Sequence, residues 1–306
     1  MNDTRVPLSG GVASDICVVG GPDDRQVVKR ALSKLRVEAD WYADPSRSMT
    51  EVAAIRTASD LLEEDVVPKI LWVDAASNSF GMEYIDNLPN WKTDLLRNII
   101  SLRVAERAGT LLGRLHERSS HRSDIAKRFE DTTFFRQLRI DPFFVKTAQK
   151  QPLLADAILG TVKNMETHRS ALVHGDYSPK NLLADERQLV ILDWEVAHWG
   201  DPRFDVAFCI SHLLLKAHRR QADQAQLFSA ILAFGRSYVR EHSGVWDREL
   251  NRLTGCLLLA RLVGSSPVEY LPDLDCMTVQ NIGEALILGK GTSEAASLVE
   301  TLGLGE

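Results

Sequence analysis

Short runs of apolar residues separated by polar turns fill the first ninety residues and predict β-strands around one helix. Two β-rich runs, Asp15 to Val19 and Gln26 to Ala31, are joined by a Gly-Gly-Pro-Asp-Asp turn that is typical of a hairpin. Met49 to Leu62 repeats apolar residues with a helical period, and Ile70 to Val73 and Phe80 to Ile85 have the pattern of two further strands. The first part of the chain is therefore expected to be a small β-rich unit with one helix.

The pattern changes to long amphipathic helices after this unit. Leu95 to Glu117 and Pro152 to Arg169 have helical periodicity, and helices are predicted again from Val206 to the end. Residues 172–195, LVHGDYSPKNLLADERQLVILDWE, interrupt this half and predict a strand-loop-strand hairpin. The change of pattern predicts two domains, residues 1–86 and residues 87–306.

The predicted hairpin places acidic and amide side chains at the ends of apolar runs. Asp176 follows Ala171-Leu172-Val173-His174-Gly175, Asn181 comes five residues later, and Asp193 ends a run of four apolar residues. Phosphoryl transfer to an alcohol needs a carboxylate that accepts the proton and Mg²⁺ ions that bridge the phosphates of ATP. Mg²⁺ prefers oxygen ligands and takes only one or two from the protein.

These side chains therefore predict a base and a metal site. Asp176 is the candidate base, and Asn181 and Asp193 are candidate Mg²⁺ ligands. Glu195 is a candidate ligand for a second Mg²⁺, or it faces water. The alternative is that Asp176 and Asn181 are turn residues that bond local backbone groups. We prefer the metal site because the Asp-Trp-Glu segment places two charges beside a buried run.

Composition excludes several classes of protein. The 306 residues are 44% hydrophobic and 25% charged, which is typical of a globular chain. The net charge of -6 gives no basic surface for nucleic acid, so no nucleic-acid partner is expected. No apolar stretch approaches the roughly 18 residues of a membrane span and the N-terminus lacks an apolar signal core, so no membrane partner and a cytoplasmic location are expected. Four isolated cysteines encode neither a zinc site nor a disulfide framework.

Three motifs in order carry a resemblance to a known family. HGDYSPKN, ILDWE and GDPRFDVA resemble the aminoglycoside phosphotransferase and choline kinase-like family of small-molecule kinases, and the resemblance covers nearly the whole chain. Ser178 replaces the lysine that protein kinases carry two residues after the base, and no DFG or APE follows. The resemblance implies an α+β, bilobal protein-kinase-like fold with a small β-rich N-lobe and a larger helical C-lobe.

The resemblance also implies ATP and Mg²⁺ as cofactors and roles for two charged residues of the N-lobe. Lys29 would pair with the α- and β-phosphates of ATP. Glu51 would hold Lys29 in place from the helix. The alternatives are that Lys29 is a solubilising charge on an edge strand, and that Glu51 complements the helix dipole from the first turn.

Further positions follow from the same resemblance. Gly10 and Gly11 would form a loop whose backbone N–H groups approach the phosphates. Backbone groups of Glu83 and Ile85 would bond the adenine at a hinge between the lobes. Asp205 would brace the catalytic loop, in which His174 is an organising residue. A plain turn at the two glycines and a plain linker after the strand are equally compatible with the sequence.

The acceptor is expected to be a small-molecule alcohol. Contacts are expected in the helical lobe, at Trp199, His212, Lys216, Arg261, Ser265, Ser266 and Glu269. A sugar-like metabolite, an amino alcohol and an aminoglycoside-type antibiotic all stay open, although the later helices lack the acidic cluster expected of an aminoglycoside binder. Methylthioribose kinases resemble this chain too, but they tend to carry a serine where Asn181 stands, which argues against that substrate.

Three other functions remain as alternatives to an active small-molecule kinase. A nucleotide-binding scaffold of the same fold would bind ATP without turnover. A protein kinase is ranked below it because of Ser178 and the missing motifs. A helical interaction protein, in which the HGD motif is coincidental, would not be stabilised by Mg·ATP.

Overall fold

The computed structural model describes residues 5–8, 13–22, 24–36, 41–62, 65–265 and 267–290. The N-terminal part contains β1 (Val6–Pro7), β2 (Ser14–Val19), β3 (Gln26–Ala31), α1 (Arg47–Leu62), β4 (Ile70–Asp74) and β5 (Ser79–Glu83). The helices of the second part are α2 (Trp91–Leu96), α3 (Leu102–Ser120), α4 (Ser123–Arg128), α5 (Thr133–Phe135), a π-helix (Arg136–Val145), α6 (Lys146–Lys150), α7 (Ala155–Thr167), α8 (Arg203–Ala217), α9 (Gln224–Glu241), α10 (Arg248–Val263) and α11 (Cys276–Leu288). Between α7 and α8 lie the short strands β6 (Ala171–Val173), β7 (Leu182–Ala184), β8 (Leu189–Ile191) and β9 (His198–Gly200), and single 3₁₀ turns occur at Pro152–Leu154, Pro179–Asn181 and Leu271–Asp273.

The five N-terminal strands form one antiparallel sheet in the order β1-β2-β3-β5-β4. β3 is the central strand, with the bounds that the sequence predicts. Side chains alternate between the two faces of a strand, and Val27, Lys29 and Ala31 share the buried face of β3. The alternative of an edge-strand charge at Lys29 is therefore wrong, because this lysine lies in the middle of the sheet with its side chain buried.

Helix α1 covers this buried face and joins the same hydrophobic core as Val27 and Phe80. It begins two residues before the predicted start, so Glu51 lies in its second turn. The Glu51 side chain is only 1% exposed and faces inward. A role in complementing the helix dipole from the first turn is therefore wrong for Glu51. β5 ends at Glu83 and α2 begins at Trp91, and the domain boundary near residue 86 stays a prediction.

The helical part differs from the sequence prediction at its first long helix. The predicted helix from Leu95 to Glu117 is two helices, α2 and α3, because Asn98 adopts a left-handed φ of 57° between them. Asparagine tolerates this conformation better than most residues. α3 then packs closely on α9: a Cβ at Gly113 would lie 2.7 Å from the carbonyl oxygen of Tyr238, so glycine permits this approach.

The acidic segment does not form the single hairpin that the sequence predicts. β6 pairs with β9, whereas β7 pairs with β8. After Asp176 the chain forms the 3₁₀ turn that ends at Asn181, and β7 follows directly. β7, rather than β6, therefore pairs with β8, the strand that precedes Asp193. The backbone N–H of Leu192 donates to the carbonyl of Asn181 at 2.8 Å and continues this pairing. Two short antiparallel strand pairs, rather than one hairpin, therefore bring Asp176, Asn181 and Asp193 together.

Two further sequence expectations concern cysteines and membranes. Cys17, Cys209 and Cys256 are buried free thiols and Cys276 is an exposed one. Within the described ranges, no helix combines the length and the apolar character needed to cross a bilayer.

A buried histidine in the C-lobe predicts a loss of stability in acid. His198 stacks on Phe135 with ring centroids 4.0 Å apart, and its Nδ1 donates to the Val196 carbonyl at 3.0 Å. Burial lowers the pKa of His198 to about 4. The unfolded chain, with an ordinary histidine pKa of about 6.5, therefore binds more protons between these two pH values. We expect the free energy of unfolding to fall by on the order of 3 kcal/mol as the pH falls through this window.

Denaturant titrations at several pH values between 7 and 4 test this expectation. His198→Phe keeps an aromatic ring against Phe135 but cannot bind a proton, so its unfolding free energy should depend less on pH. His121→Phe, at an exposed position, is the matched control and should keep the wild-type slope. An unchanged slope in His198→Phe would contradict the assignment.

Candidate active site

The carboxylate of Asp176 lies at the end of β6, held by one contact on each oxygen. Arg139 Nη2 lies 2.8 Å from Oδ1, and the side-chain amide of Asn181 donates to Oδ2 at 2.7 Å. Gly175, with a φ of 78°, forms the turn before it, where a Cβ would lie 2.8 Å from the Val196 carbonyl oxygen. Both contacts and the turn hold this carboxylate in a single orientation, as a base requires.

Asp205 fixes the loop that carries Asp176. It lies in the first turn of α8, and its carboxylate accepts the backbone N–H groups of His174 at 2.6 Å and Gly175 at 2.8 Å. His116 Nε2 lies 3.3 Å from the same carboxylate. Burial opposes ionisation of Asp205, but the hydrogen bonds of His116 and of the His174 backbone outweigh it and lower the pKa. A buried anion therefore braces the loop.

His174 connects this loop to the strand before Asp193. Its Nδ1 accepts the backbone N–H of Asp176 at 3.1 Å, and its Nε2 lies 3.0 Å from the Leu192 carbonyl. Burial lowers the pKa of His174, so the ring is neutral, with one nitrogen accepting and the other donating. The imidazole thus fixes the spacing between the two acidic residues.

Lys29 joins the N-lobe sheet to the second acidic residue. Its Nζ lies 2.8 Å from Glu51 and 2.5 Å from Asp193 Oδ1. Burial would lower the pKa of Lys29, but the charges of Asp193 and Glu51 outweigh it and raise that pKa. Burial raises the pKa of Glu51 to about 7 against the attraction of Lys29. The structure therefore brings together Lys29, Glu51 and Asp193, from three separate parts of the chain.

The backbone of Asp193 has a conformation that aspartate seldom adopts. Its φ is 67°, whereas the other non-glycine residues with positive φ in the described ranges are Asn78, Asn87 and Asn98. Residues held in the left-handed region concentrate at functional sites, where the surrounding structure imposes the strain. Here Lys29 on one side and the β7–β8 pair on the other hold Asp193 in this conformation.

Three carboxylates in the site form a candidate metal centre. Glu51, Asp193 and Glu195 each offer an oxygen atom, and the three atoms lie within 4.8 Å of one another. Asn181 uses its amide nitrogen on Asp176, which leaves its side-chain oxygen as the atom that can bind a metal. Carboxylate and amide oxygens are the ligands that Mg²⁺ prefers, so the residues present fit this ion.

Glu195 also has a structural partner that the sequence analysis missed. Arg47 Nε lies 3.0 Å from Glu195 Oε2, and both side chains are buried. The Arg47 guanidinium also donates to the carbonyls of Asp44 at 3.0 Å and Leu32 at 3.0 Å. This arginine ties Glu195 to the N-lobe, so the metal role predicted for Glu195 competes with an ion pair and stays a prediction.

A cavity of about 390 Å³ lies between these residues, within the size range of small-molecule sites. On the N-lobe side its walls include Ala13, Ser14, Ile16, Lys29, Leu35 and Trp41. Glu83 and Ile85 do not line this cavity, and the backbone N–H of Glu83 donates to the Lys69 carbonyl at 2.9 Å. Gly10 and Gly11 lie outside the described residues. The phosphate loop and the adenine hinge therefore remain predictions.

The other side of the cavity contains four of the predicted acceptor contacts. They are His212, Lys216, Arg261 and Glu269. Trp199 is instead on β9, which pairs with β6, and it lines a second cavity of about 150 Å³. Ser265 does not line the main cavity. Ser266 lies outside the described residues.

Sequence reasoning missed Arg139, which pairs with the candidate base. Arg139 lies in the π-helix, and Pro142 lies three residues further along. A proline in a helix removes a backbone donor, and such wide turns are frequent at functional sites. The proline in an otherwise helical run was the one available signal, and it does not reveal which carboxylate the arginine approaches.

Comparisons with known proteins identify the family and the fold of the chain. The profile of the family described as "Phosphotransferase enzyme family" (APH) matches residues 4–242. A methylthioribose kinase of Bacillus pumilus (strain SAFR-032) is 24% identical over 330 residues, which cover 90% of this chain and 82% of the relative. A crystal structure of choline kinase from Cryptosporidium parvum Iowa II is 14% identical with a TM-score of 0.56, over 98% of this chain and 91% of that one.

A third similar protein is an amicoumacin kinase, whose structure is a complex with AMP-PNP and Ca²⁺. It is 11% identical with a TM-score of 0.59, over 93% of this chain and 88% of that one. At such identities the likeness shows the fold, which is the predicted bilobal protein-kinase-like fold. The fold and the site thus define an enzyme of the small-molecule kinase class. The chain belongs to the phosphotransferase enzyme family (APH), which confirms the resemblance seen in its motifs.

Proposed function

We propose that the protein transfers the γ-phosphate of ATP to a hydroxyl group of a small molecule, with Asp176 as the base. The observation that carries this proposal is the position of the Asp176 carboxylate, which lines the same cavity as Lys29, Asp193 and Glu195. A base on one side and a lysine with acidic metal ligands on the other are the parts that phosphoryl transfer to an alcohol needs.

Each residue has a distinct task in this proposal. Asp176, oriented by Arg139 and Asn181, accepts the proton of the acceptor hydroxyl. Lys29 is held at 2.8 Å by Glu51 and binds the nucleotide phosphates as a fixed charge. Asp193 and Asn181 would hold Mg²⁺, with Glu195 as a further candidate ligand. Mg²⁺, when bound, would neutralise charge on the phosphates.

The relatives support a nucleotide and a hydroxylated acceptor. They include kinases of methylthioribose and of choline, and the amicoumacin kinase is in complex with AMP-PNP and a divalent cation. The ranking of methylthioribose below other acceptors rests on Asn181, and the identity of 24% to a methylthioribose kinase leaves that substrate open.

A phosphorylation screen with product detection tests the proposed function. Mg·ATP and the protein are incubated with sugars, amino alcohols, hydroxy acids and aminoglycosides, and products are identified by ³¹P NMR and mass spectrometry. We expect a phosphate monoester from at least one class, with none when Mg²⁺ is chelated. Stabilisation by Mg·AMP-PNP without any product would favour the silent nucleotide-binding scaffold. No stabilisation and no product would favour the interaction protein.

A further inference from the structure

The acceptor side of the cavity carries more positive than negative side chains. Five cations line it, Arg139, Arg261, Lys216, Lys92 and Lys180, against the carboxylates of Asp176 and Glu269. Arg139 pairs with Asp176, and Lys92 forms an ion pair with Glu269. Each of the two acids thus already has a cationic partner among the five. Lys216 and Arg261 are two further cations of this wall, and Arg261 is attracted by Asp176 and Glu269.

Lys216 is the most deeply buried of these cations. Its side chain, in the last turn of α8, is 1% exposed. Its Nζ donates to the His212 carbonyl at 3.2 Å and lies 5.5 Å from the centre of the Tyr270 ring. No carboxylate oxygen of the described residues lies within 4.0 Å of this Nζ. A buried ammonium without an adjacent anion is costly.

Electrostatics agrees with this geometry. Burial, with the charge of Lys92, lowers the pKa of Lys216 to about 7. Burial also lowers the pKa of Arg261 to about 10, so this guanidinium stays charged at neutral pH. An anion placed between the two groups would favour the charged form of Lys216.

Arg261 shares an aromatic platform with Arg139. Both guanidinium groups lie over Phe143, at 4.8 Å for Arg261 and 5.6 Å for Arg139, and both lie 5.7 Å from the centre of the Phe208 ring. Arg261 Nη2 is also 3.1 Å from Nε2 of His212. Burial and the charges of Arg261 and Lys216 lower the pKa of His212 far below its ordinary value, so the ring stays neutral and accepts from Arg261.

Resting on the proposed function, we infer that the acceptor is an anionic alcohol: a small molecule that carries a hydroxyl group and, at its other end, a carboxylate or phosphate bound by Lys216 and Arg261. Arg261 lines the same cavity as Lys216 and Asp176. A guanidinium recognises a carboxylate or a phosphate through two parallel hydrogen bonds, and an ammonium adds a point charge. The hydroxyl end is then directed at Asp176.

The same charges disfavour a polycation. An aminoglycoside would bring several ammonium groups beside Lys216 and Arg261, where like charges in a partly dry site repel strongly. Glu269, the one acid among the described residues at this end of the cavity, already pairs with Lys92. Specificity among the acceptor classes of this fold would thus be set by charge repulsion as well as by attraction.

Thermal unfolding with matched ligand pairs tests the inference independently of turnover. Glyceric, 4-hydroxybutyric and gluconic acids are each compared with their primary amides, and glycerol 3-phosphate is compared with glycerol. We expect at least one anion to raise the Tm more than its neutral partner does. The carboxylate and phosphate arms show which anion the site takes.

Variants of the two cations connect any such binding to this end of the cavity. Lys216→Met and Arg261→Gln should each abolish the anion-dependent rise in Tm. For an anionic acceptor that the enzyme phosphorylates, they should also lower kcat/KM by about 10- to 100-fold, as expected for a lost hydrogen bond to a charge. Lys216→Met should keep the stabilisation by AMP-PNP, and without ligand it should be at least as stable as the wild type, because it removes a buried charge. Lys127→Met, at an exposed position on α4, makes the same change elsewhere and should match the wild type.

Several results would overturn the inference. These are equal effects of the anions and their neutral partners, no effect of any anion, or anion binding that survives in Lys216→Met. If the enzyme phosphorylates a neutral or cationic alcohol and shows no preference for anionic alcohols, the inference is overturned while the proposed function stays intact. Anion binding that needs Lys216 but gives no product from any compound would support this site and count against phosphoryl transfer.

Discussion

Asp176→Asn is expected to lower kcat by about 1000-fold, because a positioned general base typically contributes 10²- to 10⁴-fold. The amide keeps the size of the side chain and an oxygen that can accept from Arg139, but it loses the hydrogen bond that Asn181 donates to the other oxygen. Asp205 and His174 still bond the backbone of the loop between β6 and the 3₁₀ turn, so the loop should keep its conformation. The hydroxyl of the acceptor then loses the group that takes its proton. Stabilisation by Mg·AMP-PNP should change little, because Asp176 acts on the acceptor rather than on the nucleotide.

Steady-state kinetics with the acceptor found in the screen, together with thermal unfolding, measures both effects. Asp156→Asn makes the same chemical change at an exposed position in α7 and should leave kcat unaltered. Wild-type kcat in Asp176→Asn would exclude Asp176 as the base. A loss of kcat accompanied by a loss of nucleotide stabilisation would instead mean that the substitution disturbs the whole site.

Asp193→Asn is expected to reduce kcat by about 1000-fold or more and to abolish the Mg²⁺-dependent part of nucleotide binding. A divalent cation on the phosphates contributes several kcal/mol to the transition state, and each 1.36 kcal/mol corresponds to tenfold in rate. The substitution also removes the charge that lies 2.5 Å from Lys29 Nζ. Thermal shifts with AMP-PNP, measured with and without Mg²⁺, give a readout that does not depend on turnover.

Glu195→Gln is the comparison that separates a metal ligand from a structural ion pair. Glu195 already accepts a hydrogen bond from Arg47 at 3.0 Å, and glutamine can still accept that bond. We therefore expect a loss of kcat on the order of tenfold or less, with the Mg²⁺-dependent shift retained.

An Asp193→Asn variant that keeps the Mg²⁺-dependent shift would remove Asp193 from the metal site.

The patterns of the N-lobe were predictable because local rules dominate there. Alternation in Gln26–Ala31 gave β3 its exact bounds, and the turn before it gave the pairing with β2. The break between α2 and α3 was not predictable, because the apolar period continues across Asn98 while its left-handed backbone depends on packing. Residue spacing also gave no information on which strand pairs with β6.

In the candidate site, too, some features were predictable from the sequence and others depended on the tertiary structure. The sequence by itself determined the residue types and order of Lys29, Asp176, Asn181 and Asp193, because phosphoryl transfer restricts the groups that can perform it, and it thereby indicated the family. The tertiary structure alone decided which charges meet. Arg139 on Asp176, Arg47 on Glu195, and Lys216 with Arg261 in one cavity wall each bring together segments far apart in the chain. Coulombic interactions depend on distance in space and on burial, and neither of these can be read from positions along the sequence.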